Sequence, residues 1–272
     1  RTSYSRNGRF MLMAGQKGHV AVMDCHRMTL GAEMQLQETV HDVCYLHNES
    51  LFAVAQHKYA YIYDSKGAEI HCMKKHERPH RLDFLPYHFL LVTTGHSGWV
   101  KWHDVSTGEY VAGYSSGHGP CRVLKHNPYN AVSFMGHANG VVSLWSPAAG
   151  KPLASMFCHK SPVTDLALDR SGQYLVTAGA DKFLKVWDIR TYRCLHAYKP
   201  DKPVSCVDVS DKGLIAIGVG RCVQVLKDAF MRPTDVTYLR HEISSGGAPL
   251  SSGSSVAASV QSLKSSVSLN NV

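Results

Sequence analysis

The stretch LVTAGADKFLKVWDIR, residues 175–190, decides the fold once it is compared with the rest of the chain. It contains Thr177, Asp181 and Trp187, and His159 lies shortly before it. A hydroxyl, an imidazole and a carboxylate can form a hydrolytic triad, in which the hydroxyl attacks and the imidazole accepts its proton. A catalytic triad belongs to a single site, so the interpretation depends on whether the stretch is unique.

Related stretches occur six times. Aligned on the end of the third strand, they finish at Asp24, Asp64, Asp104, Ser146, Asp188 and Lys227, which gives spacings of 40, 40, 42, 42 and 39 residues. This period and the Trp-Asp signature are typical of the four-stranded blades of WD propellers. In the fifth unit, VTDLALD, QYLVTAG, KFLKVWDI and RCLHAY are predicted to form strands a to d. The sequence therefore predicts an all-β WD40 β-propeller, with about six blades visible of an expected seven.

The polar residues of the fifth unit fit a structural role in such a blade. His159, Thr177, Asp181 and Trp187 match the tetrad of WD40 blades, in which hydrogen bonds run from the indole through the hydroxyl and imidazole to the carboxylate. A buried indole N–H needs an acceptor, and this chain of bonds satisfies all four groups. Because similar slots recur in other units, we expect a structural tetrad and no enzymatic activity.

The other units keep the tetrad to different degrees. The fourth unit offers a nearly complete set, consisting of His118, Ser133, Asn139 and Trp145. The third keeps His76 and Thr93 but has Ser97 and His103 in the remaining slots, while the first, second and sixth have Met23, Tyr63 and Leu226 at the tryptophan position. We expect hydrogen-bonded tetrads in blades four and five only.

The two ends of the chain look incomplete. Arg1 already reads as sequence from within a domain, so the first blade is predicted to supply strands b to d and the sixth strands a to c. Residues 244–272 contain eleven serines and one charged residue, Lys264, a composition that buries too little to fold. We predict an incomplete propeller over residues 1–243, open between its first and last blades, and a disordered Ser/Gly-rich tail over 244–272.

Composition narrows the functional classes. The net charge is +8 and the isoelectric point is about 9.0, which favours polyanionic partners, RNA above all. Eight scattered cysteines suggest reduced thiols, and no apolar run is long enough to span a membrane. His41, Cys44 and His47 cannot share one metal ion, because on a strand the middle residue points away from the other two. We expect no cofactor, metal, membrane contact or small-molecule substrate.

Phrases outside the general WD pattern carry a more specific resemblance. VAQHKYAYIYD at residues 54–64, FLPYHFLL at 84–91 and WSPAAGKPL at 145–153 resemble the U3 small-nucleolar-RNA-associated protein seven family, and the likeness runs from about Tyr4 to Asp228. The resemblance implies a non-catalytic nucleolar scaffold of the small-subunit processome, needed for pre-rRNA cleavages that yield 18S rRNA. The implied partners are processome proteins, U3 small nucleolar RNA and pre-rRNA.

Basic residues are predicted to gather on one face of the propeller, formed by the d–a connections and b–c turns. The densest group is KKHERPHR, residues 74–81, which we assign to the loop between blades two and three. No aromatic platform stands out in that loop, so we expect contact with RNA phosphates rather than with bases. The candidate contacts are Lys74, Lys75, Arg78, Arg81, Lys160, Lys182, Lys199, Lys202 and Arg221.

Two other functional classes stay open. A generic WD-repeat adaptor, such as a substrate receptor or cytoplasmic scaffold, would share this fold, because the fold alone does not determine function. A hydrolase would have to use the tetrad residues. Nucleolar as against diffuse cytoplasmic location separates the scaffold from the adaptor, and a hydrolase assay tests the third class.

Overall fold

The computed structural model describes residues 1–227 and 229–230, and the backbone of 237–242. Its strands form six antiparallel sheets of four strands, each in chain order. Blades one to three consist of β1 Thr2–Tyr4, β2 Phe10–Ala14, β3 His19–Asp24 and β4 Thr29–Gln35; β5 Val40–Tyr45, β6 Leu51–Gln56, β7 Tyr59–Asp64 and β8 Glu69–Glu77; and β9 Pro79–Leu85, β10 Leu90–Gly95, β11 Trp99–Asp104 and β12 Tyr110–Ser115.

Blades four to six repeat the same arrangement, and the prediction of an all-β WD40 propeller with six visible blades is thereby confirmed. Their strands are β13 Cys121–His126, β14 Ser133–His137, β15 Val141–Trp145 and β16 Ala154–Phe157; β17 Val163–Leu168, β18 Tyr174–Gly179, β19 Leu184–Asp188 and β20 Arg193–Tyr198; and β21 Val204–Val209, β22 Ile215–Val219, β23 Cys222–Lys227 and β24 Thr237–Glu242.

Apolar cores lie between neighbouring blades, because each small sheet can bury its faces only against the next. The described side chains form five such cores, joining blades one and two, two and three, three and four, four and five, and five and six. Phe52 belongs to the first of these cores, Trp102 to the third and Leu184 to the last, each with no exposed surface. The predicted opening between the first and last blades stays a prediction.

Two blades contain more strands than the sequence indicated. The first blade has an inner strand, Thr2–Tyr4, which pairs with β2 in the register Thr2↔Met13. The sixth blade has a fourth strand, Thr237–Glu242. Both predictions of a missing strand were wrong, for different reasons: Thr2–Tyr4 is only three residues long and so shows little alternation, while nine residues separate Thr237–Glu242 from the end of β23 in the sequence.

Residues 244–272, the predicted tail, lie outside the described residues, and the division at residue 243 stays a prediction. Within the part of the chain that the structure describes, no helix is long and apolar enough to cross a membrane.

Candidate nucleic-acid interface on the top face

The b–c turns and the d–a connections form one face of the propeller, which we call the top face. Backbone hydrogen bonds hold them together: Arg78 N–H donates to the Lys58 carbonyl at 2.8 Å, and Ala180 N–H donates to the Pro162 carbonyl at 3.0 Å. Each bond ties a connection between blades to a b–c turn. The a–b and c–d turns lie at the opposite ends of the strands and form the bottom face.

The nine candidate contacts lie on or near the top face, and eight of them are exposed. Lys182 and Lys199 occur together, since Lys199 Nζ lies 5.8 Å from the ring centroid of Phe183. Lys202 packs beside Gly220, next to Arg221. The structure therefore places Lys160, Lys182, Lys199, Lys202 and Arg221 on blades four to six, apart from the group on blades two and three.

The group on blades two and three differs from its prediction. Residues 74–81 are not a loop: Lys74 and Lys75 belong to β8, Arg81 belongs to β9, and Arg78 lies in the tight connection between the two strands with φ 46°. The polar outer strand β8 has little apolar alternation to reveal it. Arg81 is half-buried, and its Nε donates to the Arg122 carbonyl at 2.8 Å. Arg81 therefore links two blades, and Lys74, Lys75 and Arg78 are the exposed cations of this group.

Blade five contains the predicted tetrad. Trp187 Nε1 donates to Thr177 Oγ1 at 3.1 Å, His159 Nε2 lies 2.8 Å from Thr177 Oγ1, and His159 Nδ1 lies 3.1 Å from Asp181 Oδ1. Burial lowers the pKa of His159 even though Asp181 opposes the shift, so the ring is neutral at pH 7. The Thr177 hydroxyl can then donate to Nε2, while Nδ1–H donates to the carboxylate.

The hydroxyl, imidazole and carboxylate of blade five are linked in the same order as in a hydrolytic triad, but a substrate cannot reach them. Thr177 has no exposed surface and His159 has 1%. The packing around the imidazole is tight: a Cβ at Gly179 would lie 2.5 Å from His159 Nδ1, so a larger residue there would displace the ring. The Thr177 oxygen already accepts the indole N–H and faces no open space from which it could attack a carbonyl carbon.

Blade four forms a different chain from the one predicted. Trp145 Nε1 donates to Ser143 Oγ at 2.9 Å, and Ser143 Oγ lies 2.7 Å from His137 Nε2. Ser143 is two residues before Trp145 on the same strand, so the two side chains share a face.

The predicted members of the blade-four chain lie elsewhere. Ser133 Oγ is buried without a hydrogen-bond partner among the described atoms. Asn139 accepts a turn hydrogen bond from Val141 N–H at 3.1 Å. His118 contacts the ring of His137 at a centroid distance of 5.4 Å. Of the predicted set, only Trp145 takes part in the hydrogen-bonded chain.

Blades two and three retain shorter polar links. In blade two, Gln56 Nε2 donates to the Tyr63 hydroxyl at 2.6 Å, so a phenol replaces the indole of the tetrad. In blade three, His76 Nδ1 lies 2.7 Å from Thr93 Oγ1, and the His103 ring stands edge-on to His76 at 5.3 Å. Burial, helped by the positive charges nearby, lowers the pKa of His76 to about 3.

His76→Asn should weaken the pH dependence of stability. An unfolded histidine binds its proton near pH 6.5, whereas folded His76 binds one only near pH 3. His76 therefore makes its full contribution to the free energy of unfolding above about pH 6.5. That contribution declines as the pH falls, by about 1.4 kcal/mol per pH unit. The asparagine amide can still hydrogen-bond Thr93. Urea unfolding measured from pH 7 to pH 4 gives the slope of the unfolding free energy against pH. In His76→Asn this slope should be smaller than in wild type by the equivalent of about one proton. His88→Asn, at an exposed position, is the control; an unchanged slope in His76→Asn would contradict the assignment.

Charged side chains also meet at the axis, around which the first strands of the blades are arranged. Burial alone would lower the pKa of Lys125, but the carboxylates of Asp83, Asp165, Asp208 and Asp42 more than offset it, so the pKa is raised. Burial raises the pKa of Asp42 to about 6. We call these five residues the axial cluster. The sequence did not reveal it, because its members come from five different blades.

Two of these carboxylates also bridge neighbouring blades. Asp42 Oδ2 accepts from Leu82 N–H at 3.1 Å, and Asp165 Oδ2 accepts from Val207 N–H at 2.8 Å. No group of three or more His, Cys, Asp or Glu side chains in the described part of the chain is arranged to hold a metal ion.

Comparison with known proteins agrees with this architecture. The family described as WD domain, G-beta repeat, matches residues 150–188, the segment that contains most of blade five. The chain is 48% identical over 227 residues to U3 small nucleolar RNA-associated protein 7 of Saccharomyces cerevisiae, covering 83% of this chain and 41% of that protein. It is 40% identical over 248 residues to WD repeat-containing protein 46 of Homo sapiens, covering 90% of this chain and 41% of that protein.

A shorter likeness, 30% identity over 88 residues, relates 32% of this chain to 27% of eukaryotic translation initiation factor 3 subunit I of Drosophila grimshawi. The two longer matches extend through nearly all six blades and include the phrases outside the general WD pattern, and they span about two fifths of each relative's length. Over this matched region the chain belongs to the family of WD-repeat proteins that includes U3 small nucleolar RNA-associated protein 7 and WD repeat-containing protein 46.

Proposed function

We propose that this chain is a non-catalytic scaffold in ribosome biogenesis, acting in the nucleolus as part of the small-subunit processome that produces 18S rRNA. The observation that carries the proposal is the 48% identity, over most of the chain, to a protein named for its association with U3 small nucleolar RNA. Burial of the tetrad supports the non-catalytic part, because the hydroxyl and imidazole of blade five are used in packing.

The top face supports a contact with RNA. Its exposed ammonium and guanidinium groups lie on blades two and three and on blades four to six. They can neutralise phosphates and release counterions, which gives salt-dependent and sequence-tolerant binding. Among the top-face carboxylates, Glu38 accepts from Lys58 N–H, and Asp181 is held in the blade-five tetrad. Glu77 and Asp201 remain exposed on this face, where the exposed cations outnumber them. Processome proteins, U3 RNA and pre-rRNA are the proposed partners.

Location and co-purification test the proposal. A fluorescently tagged chain should accumulate in the nucleolus, and its immunoprecipitate should be enriched in U3 RNA over an unrelated small nuclear RNA. A tagged Thr191→Val variant, changed at an exposed turn position, is the matched control and should behave identically. Diffuse cytoplasmic fluorescence without U3 enrichment would refute the scaffold role and favour a general WD adaptor.

A further inference from the structure

A cavity of about 690 Å³ opens between the outer strands of blades two and three, beside the top face. Arg78, His96, Trp99, Lys101, Tyr110 and Glu77 line it. Its volume lies within the range of roughly 300–1,000 Å³ that is usual for pockets binding small molecules or single residues of a larger ligand.

Trp99 is exposed because of its position on β11. Val100 and Trp102 face the core between blades three and four and have no exposed surface, so the alternation of the strand sends Trp99 to the other side. There the indole is 42% exposed, while the other three tryptophans of the chain are buried. An indole held on a strand at the wall of an open cavity provides a rigid flat surface for stacking.

The second aromatic wall, Tyr110, packs against the backbone of a glycine. Tyr110 lies over Gly113, where a Cβ would come within 1.8 Å of the phenol oxygen, so a side chain at residue 113 would exclude the ring. Lys75 Nζ lies 5.0 Å from the centroid of Tyr110, close enough for a cation–π contact. Tyr110 therefore lines the cavity and also contacts a cation.

Positive charge is placed beside the two rings. Lys101 Nζ donates to the Lys75 carbonyl at 2.6 Å, which fixes the ammonium at the cavity. The backbone of Arg78 is fixed by its hydrogen bond to Lys58, and its side chain is exposed. With Glu77 as the carboxylate of the lining, two cations against one anion leave the site positive. Aromatic faces next to phosphate-binding cations are the combination by which proteins hold single-stranded nucleic acid.

We propose that this cavity holds one unpaired nucleotide of single-stranded RNA, with its base stacked on Trp99 and its phosphate between Arg78 and Lys101. The proposal rests on the proposed function and adds a base contact to a face that was expected to contact phosphates only. Because stacking needs only the π face of a base, the site should accept any of the four bases. Base-paired RNA should be excluded, because its bases are already stacked.

Fluorescence and anisotropy titrations of the full chain test the proposal. A single-stranded 12-nucleotide RNA should quench the tryptophan fluorescence, and a duplex of the same length should not. Trp99→Leu should weaken binding of the single strand about tenfold. Trp99→Phe should keep most of the wild-type affinity, because a flat ring remains. An oligonucleotide of the same length without bases should bind wild type and Trp99→Leu equally. Tyr87→Leu, which changes an exposed aromatic residue of the bottom face, is the matched control.

The outcomes separate the two proposals. If the single strand binds without quenching and Trp99→Leu binds it as wild type does, the nucleotide site is refuted while RNA contact by the top face stands. If no RNA binds at all, the nucleotide site is refuted, and nucleolar location still tests the scaffold role. If a glutamate-rich peptide quenches Trp99 and RNA does not, the cavity holds an acidic protein segment and the RNA proposal is overturned. Equal melting temperatures of the variants show that folding is unaffected.

Discussion

Thr177→Val should lower the free energy of unfolding by about 2–5 kcal/mol, a large part of the 5–15 kcal/mol typical of a folded domain. The substitution preserves volume but removes the hydroxyl that accepts from Trp187 and contacts His159. Both partners are buried, and each buried polar group left without a partner costs about 1–3 kcal/mol. Valine is a poor replacement here because the missing group is polar, even though the shape is right.

Urea denaturation followed by circular dichroism measures this loss, with Thr191→Val at an exposed turn position as the control, expected to change stability by less than about 0.5 kcal/mol. Trp187→Phe should cost about 1–3 kcal/mol, because it removes the indole donor. A Thr177→Val protein of unchanged stability that had lost a measurable hydrolase activity would show that the tetrad is catalytic.

Replacing Lys74, Lys75 and Arg78 together by Glu should weaken RNA binding about 100-fold or more at about 50 mM salt. For single-stranded RNA, each lost phosphate contact reduces the slope of log K against log salt by about 0.7, so three contacts reduce it by about 2. All three side chains are exposed, so the blades should stay folded. Arg81 is left intact in this variant, because its hydrogen bond to Arg122 links two blades.

The matched control reverses three exposed cations of the bottom face, Lys151, Arg190 and Lys212. It changes the net charge by the same amount, so a general loss of electrostatic attraction would affect both proteins equally. Filter binding or fluorescence anisotropy, measured from about 50 to about 300 mM salt, distinguishes the top-face variant from the bottom-face control. Equal affinities for wild type and the top-face variant at low salt would rule out the group on blades two and three as an RNA surface.

The propeller could be predicted because its signal repeats: six hairpins at nearly constant spacing cannot be explained by a single active site. The inner strand Thr2–Tyr4 could not, because three residues are too few to show an alternating pattern. Lys74 and Lys75 were assigned to a loop because an outer strand needs few apolar residues. In β8 only Met73 and His76 are buried.

The sequence indicates which basic residues gather on the top face, but it gives less of the arrangement of the polar and aromatic side chains. Ser133 does not stand in the slot of Thr177: the registers Thr177↔Lys185 and Met135↔Ser143 show that Met135 does, and Ser143 supplies the hydroxyl from the neighbouring strand. Trp99 could have been found by a simple argument. Two tryptophans three positions apart on one strand point to opposite faces, so either Trp99 or Trp102 had to leave the core.

The axial cluster has a consequence for any attempt to idealise this protein. A ring built from six copies of one blade would place six like charges, or none, where Lys125 now faces four carboxylates from four other blades. Copies of blade four would crowd ammonium groups together, and copies of blade two would crowd carboxylates. The pairing of one ammonium with carboxylates at the axis therefore depends on the repeats being unequal, so averaging them into a consensus would erase information that no single blade contains.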